Sequence, residues 1–325
     1  KPLKFHNRIR AGLTVLYLQK QKNYKKLEST SAVDWLNKYA GKQVYEIIWE
    51  PLLRGKFDTD YKDVSMAWLW ARVSTRANSR IKGKGEQLGY FIGGFKKFTD
   101  SLVAACKKNG VNIYTNTKVD KLLDGPKLVV NGQQKTFDQI IVTTATNTFL
   151  KLIPQNYKDY AAQLAQVKYL DALLIVFSSN QDLSNYYWHN VNDKNIPFLV
   201  FIQHTNLVSK DLYGGKNVYY IATYLNKDSK YLTFSPQSLQ KQWFSSLKKM
   251  YSNFDEAKIS DLKVVHLKDA QHIVDTKYTS YVPSIKTPIN NVYLSNFSQI
   301  YPEDRGVNYA IRAGQETAKL IENDK

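Results

Sequence analysis

Residues Val292 to Gly314 have the make-up of a site that can hold an anion or the polar edge of a flat ring. Val292 to Ser295 is a short apolar run after the turn residues Asn290 and Asn291, which predicts a buried strand. Pro302, Asp304 and Gly306 then break the chain. From Val307 onward, Ala310, Ile311, Gly314, Ala318 and Ile321 recur at helical spacing, so a helix is predicted from near Gly306 to the C-terminus. A strand, a tight loop and a helix start leave unpaired N–H groups and the positive end of the helix dipole in one place. Arg305, Gly306, Val307 and Asn308 stand at that place. Gly306, Ala310 and Gly314 put small residues on one face and permit close approach of a flat ligand. The plainer reading is a last strand and a surface helix, because strand–loop–helix units occur in many folds.

Other chemistry is thinly signalled. No serine-triad signature, H-E-x-x-H or Cys/His metal cluster is present. His189, His204, His266 and His272 are scattered and have structural readings, as do Asp34 and Glu50, so no catalytic residue is assigned. Tyr187, Trp188, Asn190, Asn192, Gln203, His204, Thr205 and Asn206 could line a substrate pocket, or be one face of a sheet with cross-strand aromatics. Arg54 and Arg72 could each grip an anionic substrate group in bidentate fashion. Each could equally tie helices to carboxylates such as Glu50. Gly83, Gly85 and Gly89 do not make a dinucleotide fingerprint: the spacing is wrong and no strand precedes them.

The elements that must position these residues fall into blocks. Residues 1–78 read as all helical. Phe5, Ile9, Leu13, Leu16 and Tyr17 share a face of a helix over 5–20, expected to pack on its own domain, although a basic amphipathic helix can also lie on a membrane. Ser31 to Asp34 resembles a capping box, Gly41 stops that helix, and Pro51 marks a kink or restart in the next helical stretch. Asp63 or Ser65 caps a third helix carrying Trp68 and Trp70. After a polar link from Arg76 to Gly89, Gly93-Gly94 opens a helix to Lys108. Strands are predicted at 111–114, 118–122 and 138–144, with a hairpin over 128–137. Further strands are predicted at 172–177, 198–203, 218–223 and 262–267, with a loop over 180–195 and a helix opened by Ser235-Pro236. The fold class is therefore mixed α/β with interleaved domains.

Four stretches together resemble the flavin-dependent amine oxidase and protoporphyrinogen oxidase-like superfamily. They are the terminal stretch, Trp49-Glu50-Pro51-Leu52-Leu53-Arg54-Gly55-Lys56-Phe57, Ala67-Trp68-Leu69-Trp70-Ala71-Arg72, and Tyr90-Phe91-Ile92-Gly93-Gly94-Phe95. The resemblance covers nearly the whole chain in the expected order. It implies a partial Rossmann-like FAD domain over 89–165 and 286–325, and a helical plus β-sheet substrate domain over 1–88 and 166–285. It implies an oxidoreductase that moves a hydride from a C–N or C–C bond to FAD, whose ring carries the redox chemistry so that no acid–base pair need stand out. It places Val119 near the adenine through its backbone, and Thr143 and Thr144 near the phosphates or ribose; from the residues alone these are plain strand ends. The alternatives are a non-redox flavoenzyme such as a nucleotide-sugar mutase, and a binding protein without cofactor.

Two departures matter. No glycine-rich β-α-β unit occurs in the 325 residues, so it is expected upstream of Lys1, and the chain alone is expected to be inactive and not to retain FAD. Ser295-Asn296 replaces the usual glycine–acid pair, leaving Asn296 to bond the ribityl chain.

Composition bounds the rest. The net charge is +18, spread along the chain without a zinc-finger or RNA-recognition signature, so nucleic acid is not expected, whereas an anionic small-molecule substrate is. No apolar run of ~18 residues occurs. The single Cys106 excludes an internal disulfide and fits a reducing compartment. The expectation is a cytoplasmic protein with possible peripheral membrane contact.

Overall fold

The structure, a computed structural model, describes residues 3–78 and 88–324; Gly83 and Gly85 lie outside them. The first block is helical, as the spacing predicts. It comprises α1 (Phe5–Lys20), α2 (Ala32–Tyr39), α3 (Lys42–Val44), α4 (Glu50–Phe57) and α5 (Met66–Asn78). Ser31 Oγ accepts the Asp34 N–H at 3.1 Å and starts α2. Gly41, at φ +85°, turns the chain out of α2. Tyr45–Trp49 form one π-helical turn that runs without a break into α4, so Pro51, directly after it, stands inside a continuous helix. Ser65, rather than Asp63, holds the start of α5 by accepting the Ala67 N–H at 3.2 Å. Leu36, Leu53, Phe57, Trp68 and Leu69 fill the core of this block.

One face of α1 contradicts its expected packing. Thr14 and Leu18 are the buried residues of the helix, while Phe5, Ile9, Leu13, Leu16 and Tyr17 are all more than half exposed. The helix carries a second apolar side, Ala11, Val15 and Leu18, and that side packs on the core. Hydrophobic spacing locates a helix, but cannot choose between two apolar faces.

The middle of the chain holds α6 (Gly94–Lys108), β1 (Val119–Leu122), β2 (Lys127–Val130), β3 (Gln133–Thr136), β4 (Ile140–Val142), α7 (Thr146–Leu150) and α8 (Lys158–Ala165). Strands β1, β2 and β3 form an antiparallel sheet whose hairpin turns at Asn131 and Gly132, both with positive φ. Helices α7 and α8 are additions to the predicted elements. The strand expected at 111–114 is absent, and Val111, Ile113 and Tyr114 are exposed. Apolar alternation gives a tendency only; a strand needs a neighbouring ladder, and none among the described residues runs beside this segment.

The remainder comprises β5 (Tyr169–Ser179), β6 (Trp188–Asn190), β7 (Val200–Gln203), β8 (Asn217–Leu225), α9 (Pro236–Met250), β9 (Ile259–His272), β10 (Val292–Leu294) and α10 (Val307–Asn323). Short β6 lies inside the expected 180–195 loop. Five antiparallel strands form one sheet in the order β6-β7-β8-β5-β9. Residues alternate strictly along β8. Tyr219 and Ile221 point to the back face, where α9 covers them through Leu239, Trp243, Phe244 and Leu247. Tyr220, Ala222 and Tyr224 point to the front face, which is only half buried, and pairing puts Ile202, Val200, Val176 and Leu174 beside them. Strands β4 and β10 pair in parallel, Val292 opposite Ile140, over a third apolar cluster that includes Phe149, Leu164 and Ile289.

Candidate functional site

The carboxyl ends of the parallel strands β4 and β10 are where a ligand seats in an open α/β sheet. Thr143 and Thr144 follow β4 and are exposed, and Asn296 follows β10 two residues on. Asn296 fastens these loops together. Its Nδ2 donates to Thr144 O at 2.8 Å and to Thr146 Oγ1 at 3.2 Å, while its Oδ1 accepts the Ser298 N–H at 2.9 Å. Behind them lies a buried hydroxyl chain. Tyr169 OH donates to Thr146 Oγ1 at 3.0 Å, and Thr146 and Ser298 hydroxyls meet at 3.0 Å. Tyr278 OH closes it on Ser298 O. The strand ends are thereby rigidly tied to the start of β5.

The start of α10 is bare. Gly306 caps it without a side-chain bond, and its first turn contains no acid. Val307 and Asn308 are exposed. Gly306 has an extended φ of −172°, so its value is space rather than a left-handed backbone. A Cβ there would sit 2.8 Å from Asn308 Oδ1.

Just ahead of that helix, a charged cluster joins the three parts of the molecule. Buried Asp304 receives Lys56 Nζ of α4 at 3.0 Å and Arg72 Nη1 of α5 at 2.9 Å. Arg305 Nε donates to Gln271 Oε1 of β9 at 2.8 Å, and its Nη2 to Tyr224 OH of β8 at 2.6 Å. Both Lys56 and Arg305 also lie over the Tyr224 ring. Burial alone would raise the Asp304 carboxyl, but the Lys56, Arg72 and Arg305 charges outweigh it and hold the group below the usual carboxylate range. The cluster thus holds three cations against one carboxylate. Next to it His272 is fully enclosed, neither ring nitrogen has a hydrogen-bond partner, and burial pushes its pKa down to about 4.

At the other end of the front face, aromatic rings gather around His204. Tyr90 lies 4.9 Å from it between ring centroids, Tyr213 5.5 Å, Tyr220 5.8 Å and Tyr187 6.5 Å. The His204 Nε2 and Tyr213 OH are 2.8 Å apart, and burial lowers the imidazole pKa, so it is neutral near pH 7. Tyr220 and Tyr224 are four residues apart on one strand, so the aromatic and cationic ends are separated by about 13 Å.

The expected site residues therefore sort by place. Thr143, Thr144, Asn296, Arg305, Gly306, Val307 and Asn308 belong to the strand ends and the loop into α10. Val119 is the first residue of β1, in the separate three-stranded sheet. Tyr187 and His204 share the aromatic group. Trp188 is half exposed on β6, its Nε1 donating to Asn190 Oδ1 at 2.9 Å. Gln203 is buried and occupied: it accepts the Ser184 N–H at 2.9 Å and donates to Asp182 at 2.7 Å. Arg72 joins the Asp304 cluster, whereas Arg54 lies elsewhere, donating to Asn192 O at 3.3 Å beside a shallow cleft with Glu50 and Lys194. Sequence reasoning missed Lys56, Tyr224, Gln271 and Asp304 as site residues. Lys56 and Asp304 do stand inside the quoted stretches, but Tyr224 and Gln271 carry no local signal. Among the described residues no group of three or more His, Cys, Asp or Glu is placed to hold a metal.

These residues fit the ring side of a flavin: a bare helix start, a close approach at Gly306, and the exposed Thr143 and Thr144 at the end of β4. The 325 residues offer no glycine-rich turn for its pyrophosphate.

Comparison with known proteins bears on the family and the fold. Residues 1–321 match the family described as flavin containing amine oxidoreductase. No curated protein matches by sequence. Among solved structures, an oxidoreductase from Methanosarcina mazei is similar at TM-score 0.72 and 13% identity, over 98% of this chain and 73% of that one. Cyclohexylamine oxidase from Brevibacterium oxydans IH-35A is similar at TM-score 0.69 and 12% identity, over 99% and 76%. Reduced UDP-galactopyranose mutase is similar at TM-score 0.62 and 13% identity, over 86% of this chain and 63% of that one. At these identities the likeness is one of fold.

Proposed function

The chain belongs to the flavin-containing amine oxidoreductase family, and on that premise we propose that it works as an FAD-dependent oxidoreductase, with substrate held between the front face of the five-stranded sheet and the start of α10. The observation that carries this reading is the bridge from Arg305, at the mouth of α10, to Tyr224 on the front face. It fastens the loop before the helix start to the sheet face.

FAD bound there supplies the hydride acceptor for oxidation of a C–N or C–C bond. The chain's residues bind and orient. Backbone N–H groups at Val307 and Asn308 favour the electron-rich edge of the ring through the helix dipole. The exposed Thr143 and Thr144 at the end of β4 would bond the ribityl or phosphate groups. Ile202, Ala222, Val176 and Leu174 give the substrate a dry apolar wall, and Tyr187 and neutral His204 close one end. Lys56, Arg72 and Arg305 favour an anionic group at the other end. In this reading residues 1–88 and 166–285 form the substrate domain, and 89–165 and 286–325 the cofactor domain. A further glycine-rich β-α-β unit completes the cofactor domain and covers exposed Ile113, Tyr114 and Ile141; without it the chain is inactive and holds FAD weakly.

A second reading, a mutase acting on a nucleotide-linked sugar, draws support from the surplus of cations and the fold likeness to UDP-galactopyranose mutase. One experiment separates them: anaerobic titration of a flavin-loaded version of the protein, extended with such a unit, against amines and anionic candidate substrates. Bleaching near ~450 nm without added reductant supports the oxidoreductase. Turnover only after chemical reduction of the flavin supports the mutase and contradicts the first reading.

A further inference from the structure

Helix α1 has two apolar sides, and the fold uses one. The outward side is a stripe of Phe5, Ile9, Leu13, Leu16 and Tyr17, exposed by 75, 51, 61, 51 and 51%. These positions fall at i, i+4, i+8, i+11 and i+12, a single face of an α-helix. The stripe is held at a fixed orientation. Arg10 reaches across from its flank to the C-terminus of α2, donating to Tyr39 O at 2.7 Å and Lys38 O at 2.9 Å. Tyr17 stacks on Trp35, whose ring meets that of half-exposed Tyr39 at a tilt, 4.8 Å between centroids, so the stripe continues into an aromatic edge.

Its charge is one-sided. Lys1, Lys4, Arg8, Arg10, Lys20, Lys22, Lys25 and Lys26 precede Glu28, the first acid in the sequence. Lys4 and Lys20 stand at the two ends of the apolar stripe, and Lys22, Lys25 and Lys26 follow it in sequence. We infer that α1 is a lipid-surface helix, which lays Phe5, Ile9, Leu13 and Leu16 into the headgroup boundary of an anionic phospholipid membrane while these lysines pair with lipid phosphates.

The chemistry selects this occupant over others. A second copy docked stripe to stripe would bring two sets of these cations together with no acid to meet them. A nucleic acid would meet the cations but leave the stripe wet. An anionic bilayer satisfies both. The helix has 16 residues, so it is about 24 Å long and lies on a membrane rather than crossing it. No helix among the described residues is long and apolar enough to span.

The test is co-sedimentation of the chain with vesicles of phosphatidylcholine alone and with about a third phosphatidylserine. Binding is expected to the anionic vesicles only, and to fall steeply at ~1 M salt, where the Debye length is ~3 Å. The double variant Ile9→Glu/Leu13→Glu should lower partitioning at least ~tenfold with thermal unfolding unchanged, since both side chains point outward. Ile311→Glu, on the exposed side of α10, should leave it unaltered and so exclude general stickiness. Equal sedimentation of the double variant overturns the inference, as does equal binding to neutral vesicles. So does size-exclusion chromatography showing a dimer that the double variant splits, since a second copy would then be the occupant.

Discussion

Asp304 and His272 sit side by side and respond oppositely to being enclosed. The Asp304 carboxylate is kept charged by Lys56 and Arg72. Asp304→Asn leaves three cations crowded without their anion. Breaking a fully buried pair costs about 3–5 kcal/mol, and because Arg72 is 45% exposed we expect roughly 2–3 kcal/mol here, read by urea denaturation. Its folded pKa is depressed, so its contribution is present above pH ~4 and is lost as pH falls further. A variant as stable as the parent would show that the cluster is incidental.

His272 follows the other course: burial lowers its pKa from 6.5 to about 4. The unfolded chain takes up that proton first, so stability is whole above pH ~6.5 and declines toward pH ~4, by roughly 3 kcal/mol in all. His272→Phe preserves the stack on Tyr278 and forfeits no hydrogen bond. Thermal unfolding measured from pH 7 to 4.5 should flatten in that variant; an unchanged slope would locate the acid sensitivity elsewhere. These residues show the limit of the sequence. Arg72 and Asp304 are 232 positions apart, and nothing local marks them as partners. The helix boundary at Gly306 was legible because the break before a helix is itself a signal.

At the scale of elements, caps and spacing carried well. Ser31, Gly41 and the Asn131–Gly132 turn act as their local chemistry dictates, and the terminal strand, loop and helix lie where their pattern put them. Misreadings arose where the outcome depended on a neighbour. Residues 111–114 have strand-like alternation without an adjoining ladder, and α1 shows two apolar faces to a core that needed one. The start of α10 yields a prediction of its own. Gly306 has ordinary extended backbone, and the atom crowding a new Cβ belongs to the mobile Asn308 side chain. Gly306→Val should therefore leave the fold within about 1 kcal/mol of the parent, as expected away from tightly packed or strained positions. In a flavin-loaded protein it should nevertheless strip the cofactor by blocking the ring. Full flavin occupancy in that variant would remove the loop from the cofactor's surroundings.

At the scale of the molecule, the helical block, the five-stranded sheet and the parallel pair keep separate apolar cores, and the Asp304–Arg305 segment joins them at the mouth of α10. The order of helical, β-α and β-rich blocks in the sequence anticipated the order of elements along the chain. The front face did not show in sequence, because its half-buried alternation is the same as that of any sheet with one solvated side. In the proposed reading the assembly supplies the ring side of a flavin site, and the pyrophosphate, where the charge lies, has no glycine-rich turn among the 325 residues. Each missing hydrogen bond to a charged group is worth about 1.5–3 kcal/mol, enough together to turn a tightly held cofactor into one lost on purification. The most direct test is flavin content: absorbance near ~450 nm of the purified 325-residue chain against its protein concentration. The account predicts far less than one FAD per chain. A yellow chain with stoichiometric FAD would contradict it, because the residues present would then suffice to hold the phosphates as well as the ring.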